Sequence, residues 1–279
     1  MNLKGIIRQL TPPFLTSAYR HFRYGPPEAM YGHFGDYSSW QAALADSAGY
    51  DGEAIFEKVF EALILVRDKK AVYERDSVLF DKIQYSWPLL SALLWIAALK
   101  DLKLNIIDFG GSLGSSYYQN IGMLGVLKEV KWNIIEQPKF VECGKKHFEN
   151  GQLKFYYDLN SCMKSEKSEV ILLSSVIQYL EDSYALLDDI VKRDFEFIII
   201  DRTIFFDDED RITVQRVPPS IYDASYPCRV FNRQKFLRYF SEGYDLIYDF
   251  EALGGNVFVE STAARYEGYL FQKKVRQNN

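Results

Sequence analysis

A glycine-rich turn between a buried strand and a helix constrains the fold of this chain more than any other sequence feature. An apolar run at residues 104–107 is typical of a buried parallel strand, and it ends at Asp108. Three glycines then permit a tight turn close to a ligand: Gly110, Gly111 and Gly114. Ser115 and Ser116 are candidate N-caps of a helix that begins near Tyr117. A strand, a glycine turn and a helix N-terminus together present backbone N–H groups to a polar ligand.

The residues of this turn distinguish between three nucleotide-like ligands. A phosphate-binding P-loop ends in Gly-Lys-Ser/Thr, but here Gly114 is followed by Ser115. The dinucleotide fingerprint has glycines where this chain has Ser112 and Ser115. The turn that binds S-adenosylmethionine (SAM) is matched by Asp108-x-Gly110-x-Ser112-x-Gly114, with serine for the middle glycine. The carboxylate of Asp108 suits the positive amino and sulfonium groups of SAM, so SAM is the predicted cofactor. The alternative is an ordinary βα turn that binds no ligand.

Composition and charge exclude several classes of function. The chain has 279 residues, 48% of them hydrophobic, which allows one large domain or two small ones. Its net charge of −5 argues against nucleic-acid binding. Three scattered cysteines predict a reducing compartment with neither disulfides nor a structural metal site. With no evident signal peptide and no apolar run long enough to span a bilayer, the expected location is cytoplasmic.

Residues 1–100 are expected to form a leader and a helical cap. The leader carries four basic residues that predict weak peripheral contact with an anionic membrane surface, namely Lys4, Arg8, Arg20 and Arg23. A leader that packs on the protein is the alternative, because prolines at 12 and 13 prevent a long amphipathic helix. A loop is predicted around Gly32 and Gly35, and helices from Trp40, at 55–66 and at 87–99. Residues 71–80 are extended, with alternating charges typical of a solvated loop.

Residues 101–279 alternate between strand and helix patterns and form the predicted main domain. Strands are predicted at 104–107, 130–136, 153–158, 169–174 and 195–201, followed by two strands without a helix between them at 245–250 and 265–273. Such alternation predicts a parallel sheet with ligands at the carboxyl ends of its strands. Five parallel strands closed by an antiparallel hairpin are the Rossmann-like arrangement of class I SAM methyltransferases. The predicted fold class is therefore α/β.

Polar residues at strand ends complete the predicted cofactor site. Glu136 suits the two ribose hydroxyls, because a carboxylate accepts two hydrogen bonds, and Gln137 lies beside it. Asp158 is either a partner of the adenine amino group or a helix cap. Ser174 and Ser175 begin the loop that should border the sulfonium group.

The chain resembles a family of bacterial SAM-dependent methyltransferases often encoded with O-antigen, capsule or other surface-polysaccharide genes. The resemblance extends from about residue 30 to the end, and its most specific segment is the turn Asp108-Phe-Gly-Gly-Ser-Leu-Gly-Ser-Ser-Tyr-Tyr-Gln-Asn120. Other matching segments are Tyr73-Glu-Arg-Asp76, Ile135-Glu136-Gln137, Leu173-Ser-Ser-Val-Ile-Gln-Tyr-Leu180, Arg202-Thr203 and residues 214–227. The resemblance implies a sugar or sugar-linked acceptor from polysaccharide synthesis. It also implies an acceptor site that includes Tyr73, Glu74, Arg75 and Asp76.

Methyl transfer needs a base only if the acceptor is a weak acid such as a hydroxyl. The resemblance implies Glu74 or Asp76 as that base, and Gln178 and Tyr179, in the loop after the fourth strand, are predicted to orient the acceptor. A long loop at 203–232 is predicted to act as a lid. Acceptor-binding candidates in and beside it are Arg202, Arg216, Tyr222 and Tyr226.

The predicted activity is SAM-dependent methyl transfer, most simply to oxygen, without a metal. One rival is a SAM-binding protein of the same fold that assembles or regulates a pathway without catalysis. A second rival, an NAD-dependent oxidoreductase or epimerase, is disfavoured because the chain lacks G-x-G-x-x-G and a Tyr-x-x-x-Lys helix.

Overall fold

The computed structural model describes residues 31–47, 52–218, 221, 224–260 and 262–275. The described strands are β1 (Gly32–Tyr37), β2 (Tyr73–Arg75), β3 (Val78–Phe80), β4 (Lys103–Phe109), β5 (Glu129–Ile135), β6 (Leu153–Tyr156), β7 (Val170–Ser174), β8 (Phe197–Phe206), β9 (Arg211–Val217), β10 (Ala224–Asn232), β11 (Tyr244–Val259) and β12 (Thr262–Lys273). The described helices are α1 (Trp40–Ala45), α2 (Gly52–Arg67), α3 (Trp87–Leu99), α4 (Ser115–Leu124), α5 (Pro138–His147), α6 (Leu159–Ser165), α7 (Ser183–Lys192) and α8 (Arg233–Phe240), with a 3₁₀ turn at Ile177–Tyr179.

Five parallel strands form one half of the main sheet, in the order β6-β5-β4-β7-β8. β12 pairs antiparallel with β8, and β11 pairs antiparallel with β12. The predicted α/β, Rossmann-like alternation is therefore confirmed. From β4 the chain proceeds outward through β5 and β6 and then returns to the other side of β4 with β7. The carboxyl ends of β4 and β7 thus border a topological switch point, where open α/β sheets bind ligands.

The sheet is larger and more mixed than predicted, because three further strands close part of it into a ring. β1 lies between β11 and β9, β9 pairs with β10, and β10 pairs with the last residues of β8. The prediction of a lid loop at 203–232 is wrong, since most of this segment forms the end of β8 and the hairpin β9–β10. The predicted loop at Gly32 and Gly35 is strand β1, so the N-terminal region contributes a strand to the main sheet.

Alternating side chains of the central strands build a core on each face of the sheet. Ile106 and Leu172 pack on one face with helices α2 to α5, while Ile107 and Ile171 pack on the other with α6 to α8. A third, smaller cluster, which includes Phe206 and Val230, belongs to the strands that form the ring. Both faces of the parallel strands are therefore buried, as their continuous apolar sequences predict.

Local sequence signals explain where helices α3 and α8 begin. Helix α3 has its predicted bounds, with proline in its first turn, and six of its apolar side chains are buried. Asn232 caps α8 by accepting a hydrogen bond from the N–H of Lys235 at 2.7 Å. Among the described helices none is long and apolar enough to cross a bilayer. The predicted membrane contacts of Lys4, Arg8, Arg20 and Arg23 lie outside the described residues.

Candidate functional site

The glycine turn wraps around the side chain of Asp108. Gly110 has a left-handed backbone with φ +73°, and a Cβ on Gly111 would lie 2.6 Å from Cγ of Asp108. Helix α4 begins at Ser115, two residues before the predicted start, and its N-cap is Gly114 with φ +109° rather than a serine. The tight turn therefore depends on glycine for backbone conformation at Gly110 and for space at Gly111.

Asp108 lies beneath the turn, and its side chain does not line the cleft described below. It is 1% exposed, and Nε1 of Trp132 donates a hydrogen bond to its Oδ2 at 2.9 Å. Burial raises the pKa of Asp108 to about 7, against the opposing effect of the Trp132 hydrogen bond. Its contact with a cofactor stays a prediction. The observed role of Asp108 is to support the turn. Its partner Trp132, which lies on the neighbouring strand β5, was not predicted.

Glu136 follows β5 and faces the turn from the neighbouring strand end. Its Oε1 accepts a hydrogen bond from the N–H of Ser112 at 3.2 Å, and its Oε2 accepts one from the N–H of Gln137 at 2.7 Å. Burial raises the pKa of Glu136, and these two N–H groups oppose that rise. Gln137 is the N-cap residue of α5. The glycine turn and the end of β5 are thus joined through one carboxylate at the edge of the cleft.

Asp158 is the N-cap of α6, which is one of the two roles predicted for it. Its Oδ1 accepts a hydrogen bond from the N–H of Ser161 at 2.8 Å, and this bond lowers the pKa of the exposed carboxyl. Asp158 also lines the cleft together with Tyr157 and Leu159. Asp158 therefore caps α6 with Oδ1 and is at the same time a residue of the cleft wall.

The segment predicted as a solvated loop at 71–80 is the hairpin β2–β3, and it covers the start of α4. Glu74 is 2% exposed; its Oε1 accepts a hydrogen bond from the N–H of Ser77 at 2.7 Å, and its Oε2 accepts one from Oγ of Ser115 at 2.8 Å. Burial raises the pKa of Glu74 to about 6. Oη of Tyr73 accepts a hydrogen bond from Nε2 of Gln119. The hairpin is therefore fixed directly on the glycine-turn helix.

Asp76, at the tip of this hairpin, reaches the opposite wall of the cleft. Nη2 of Arg202 donates to its Oδ2 at 2.6 Å, and Nε of Arg75 lies 4.0 Å from the same oxygen. Arg202 and Asp201 were expected at the end of the fifth parallel strand. They lie instead in the middle of β8, because β12 and β10 extend that strand to Phe206.

The loop after β7 contributes both buried and cleft-lining residues. Oγ of Ser174 donates to Oδ2 of Asp201 at 2.7 Å, while Ser175 has φ +55°. Gln178 is completely buried, and its Nε2 donates to the backbone oxygen of Arg202 at 3.1 Å. The structure therefore gives Gln178 a supporting position behind Arg202, not the predicted position beside an acceptor. Oη of Tyr179 donates to Oε1 of Gln215 at 2.9 Å.

The hairpin that replaces the predicted lid provides part of the remaining wall. Tyr226 lines the cleft, and its ring packs edge-on against Tyr179 with centroids 5.4 Å apart. Arg216 does not line the cleft; its guanidinium lies over the ring of Phe34, 4.7 Å from the centroid. Tyr222 lies outside the described residues. Gln215 and Tyr266, which were not predicted, also line the cleft, because pairing between distant strands brings them there.

These elements surround one cleft of ≈ 1010 Å³ at the carboxyl ends of the parallel strands. Its predicted lining residues are Tyr73, Glu74, Arg75, Asp76, Gly110, Gly111, Ser112, Ser115, Glu136, Gln137, Asp158, Ser174, Ser175, Tyr179, Arg202 and Tyr226. Four other predicted residues, Asp108, Gly114, Gln178 and Arg216, do not line it. Among the residues that the structure describes, no group of three or more His, Cys, Asp and Glu is arranged to hold a metal ion.

The strand order, the glycine turn and a cleft at the switch point define an α/β, Rossmann-like fold. Among solved structures, the chain is similar to the N-terminal domain of EvdMO1, which was determined in the presence of S-adenosylhomocysteine (SAH) and D-fucose. The TM-score is 0.48 and the identity 12%, over 81% of this chain and 98% of that chain. It is also similar to human N-acetylserotonin methyltransferase in complex with SAM, with a TM-score of 0.44 and 15% identity over 80% of this chain and 59% of that chain. For the glycopeptide N-methyltransferase MtfA complexed with SAM, the TM-score is 0.42 and the identity 10%, over 66% of this chain and 92% of that chain. Because these TM-scores are all below 0.5, the assignment of the fold class rests on the strand order of the chain itself.

Comparisons with protein-family models and with curated proteins find no match.

Proposed function

We propose that this chain is a SAM-dependent methyltransferase. The observation that carries the proposal is the contact between the N–H of Ser112 in the glycine turn and the carboxylate of Glu136 after the next strand. A carboxylate at this strand end suits a ribose, whose two hydroxyls donate hydrogen bonds. It disfavours a phosphate, because a phosphate would need the same N–H and would be repelled by the negative charge. The carboxylate of Glu136 at the end of β5 therefore favours a nucleoside cofactor without phosphates.

The rest of the cleft fits the parts of such a cofactor. Its volume of ≈ 1010 Å³ is large enough for a nucleoside and a small acceptor together. Tyr157, Asp158 and Leu159 border the space beyond Glu136, where an adenine would lie, while Ser115 and the β2–β3 hairpin border the opposite end. When bound, SAM supplies an activated methyl group on a positive sulfur. The residues of this chain would hold the ribose, enclose both partners and keep the acceptor at reacting distance.

We infer transfer to a hydroxyl oxygen, for which the chain must take one proton. Two carboxylates of the cleft wall are available for this: Glu74, whose pKa burial raises to about 6, and Asp201, whose pKa burial also raises. A pKa near neutrality, as burial gives Glu74, suits a general base, because the group is then both ionised and able to hold a proton. Both oxygens of Glu74 accept a hydrogen bond, but each carboxylate oxygen has a second lone pair.

We further propose that the acceptor is a sugar or a sugar-linked intermediate of cell-surface polysaccharide synthesis. The support is the wall formed by Tyr179, Tyr226, Gln215 and Arg202, which offers aromatic faces and several hydrogen-bonding groups. The resemblance of the glycine-turn and hairpin sequences to methyltransferases encoded with polysaccharide genes points the same way.

A non-catalytic SAM-binding role is the second candidate, and one observation favours it. Of the residues predicted to act in catalysis, Gln178 is completely buried and Asp76 is held in an ion pair with Arg202. SAM binding without transfer to any member of a broad glycan panel would support this candidate.

Calorimetric titration with SAM and S-adenosylhomocysteine (SAH) tests the proposed cofactor. We expect micromolar affinity that Glu136→Gln and Glu136→Ala weaken by ten-fold or more, which corresponds to ~1.4 kcal/mol. Glu129→Gln is the matched control, because Glu129 begins the same strand at its exposed end, away from the cleft. Absence of binding to either compound, or equal weakening by the control substitution, would contradict the proposal.

A further inference from the structure

Arg202 lies at a β-bulge in the wall of the cleft. On β12, Glu267 pairs with Thr203 and Tyr269 pairs with Ile200, so Gly268 alone faces both Asp201 and Arg202. Arg202 has a left-handed backbone with φ +49°, which is costly for a residue with a long side chain. Asp201 and Arg202 consequently both line the cleft, although neighbours in a regular strand point to opposite faces.

The surrounding residues hold Arg202 in this conformation. The buried amide of Gln178 donates a hydrogen bond to the backbone oxygen of Arg202. Opposite the bulge, the ring of Phe250 packs so closely on Gly268 that a Cβ there would overlap the ring. Strain maintained by buried neighbours at a cleft is typical of a residue whose side chain must point in one direction. The direction here is into the ligand space, with the Arg202 side chain 21% exposed.

The guanidinium of Arg202 is only partly satisfied. Its Nη2 donates to Asp76, but its Nε is buried and has no hydrogen-bond partner among the described residues. Nε and Nη2 form one edge of the guanidinium, and this edge matches the two oxygens of a carboxylate or phosphate. Asp76 satisfies one donor of the edge from a side chain that is 47% exposed, and its own backbone is left-handed with φ +51°. The ion pair is therefore a monodentate contact between two strained residues.

We propose that Arg202 is the receptor for an oxyanion, a carboxylate or a phosphate, which binds both donors of this edge and displaces Asp76. The inference rests on the proposed function, in which the cleft holds SAM and an acceptor. Two sources can supply the oxyanion: the amino-acid carboxylate of the cofactor, or an acidic group on the acceptor such as that of a uronic acid or sugar phosphate. Arg202 would then select ligands by charge, while the tyrosines beside it contact the sugar.

The first arm of the test measures the affinities of SAH and methylthioadenosine, which lacks the amino-acid carboxylate. If the cofactor supplies the oxyanion, Arg202→Lys should weaken SAH by ~10-fold or more and leave methylthioadenosine unchanged, because lysine keeps the charge but loses the fork. Arg211→Lys is the matched control, since Arg211 is on the neighbouring hairpin and does not line the cleft.

The second arm uses SAH-loaded protein and measures binding of D-glucuronate against D-glucose, and of inorganic phosphate, by ligand-observed NMR. If the acceptor supplies the oxyanion, the wild type should prefer glucuronate, and Arg202→Lys should abolish that preference. Asp76→Asn should strengthen anion binding, because it removes the competing carboxylate, and it reports on the subsite even if Arg202→Lys does not fold.

The outcomes separate the two proposals. A selective effect of Arg202→Lys in either arm, with anion binding kept or strengthened in Asp76→Asn, supports the subsite. Unchanged selectivity in both arms, or weaker anion binding in Asp76→Asn, overturns it even where SAH binds well. If the wild type binds neither SAH nor methylthioadenosine, the proposed function fails, and the subsite is judged by anion binding to the unloaded protein alone.

Discussion

Substitution of Gly111 by alanine should destabilise the protein through one identified overlap. The added Cβ would lie 2.6 Å from both Cγ and Oδ2 of Asp108, well inside contact distance. The φ of Gly111 is not in the left-handed region, so the overlap and not backbone strain is responsible. Asp108 cannot move away freely, because its side chain is buried and held by Trp132 at 2.9 Å.

The magnitude follows from the two ways in which the overlap can be relieved. Moving the Asp108 carboxyl breaks its hydrogen bond with Trp132, and hydrogen bonds to charged groups contribute ~1.5–3 kcal/mol. Moving the turn instead forces a shift in a well-packed region, which costs ~1–3 kcal/mol. Because the protein adopts the less costly of the two, we expect the free energy of unfolding to fall by ~1–3 kcal/mol, which for a chain of this size lowers Tm by roughly 5 °C.

Urea unfolding followed by tryptophan fluorescence measures this change, and Gly122→Ala is the matched control. Gly122 is exposed in α4 and has nothing within 4 Å of an added Cβ, so alanine there should maintain stability or raise it by up to ~1 kcal/mol. In an Asp108→Ala background, Gly111→Ala should be nearly neutral because the overlapping group is gone. A Gly111→Ala variant as stable as the wild type, or equally destabilised in both backgrounds, would refute the reasoning.

Two further predictions concern the carboxylates of Asp108 and Asp158. Burial raises the pKa of Asp108 from 3.8 to about 7, so the folded chain binds this proton more tightly than the unfolded chain. The free energy of unfolding of the wild type, relative to Asp108→Asn, should therefore decrease as pH rises from about 4 to about 7; a flat difference in urea titrations would contradict this. Asp158→Ala should lower Tm by removing the α6 cap, whereas Asp158→Ser should retain it. If both variants lose SAH affinity equally in calorimetry, Asp158 contacts the cofactor as well as the helix.

Sequence patterns predicted the parallel half of the fold because its signals are local. Strands β4 to β7 are short apolar runs, and α3 is an apolar segment with proline in its first turn, so its bounds were predicted without error. The ring of strands was missed for the opposite reason. β1, β9 and β10 are stabilised by pairing with strands far away in sequence, and such pairing leaves no local signal.

Residues of the candidate site divide in the same way. The predicted proximity of the glycine turn and Glu136 needed only adjacent parallel strands, and the hydrogen bond from Ser112 is observed. The burial of Asp108 and Gln178 could not be predicted, because it depends on Trp132 and on the bulge at Arg202. In both cases a polar side chain, within β4 for Asp108 and just after β7 for Gln178, is held inside by a partner from another strand.

Backbone strain provides evidence for a functional cleft that does not depend on which ligand binds there. In the described part of the chain, ten non-glycine residues have positive φ. Five of them line the cleft, namely Asp76, Ser77, Ser112, Ser175 and Arg202. They come from four separate places, the β2–β3 hairpin, the turn after β4, the turn after β7 and the bulge in β8, so no single local irregularity explains them. Glycine or asparagine would relieve the strain at each position. Because conformations that oppose local preference persist where surrounding structure enforces them and cluster at functional sites, the residues that sequence rules predict least well are those expected to contact a ligand.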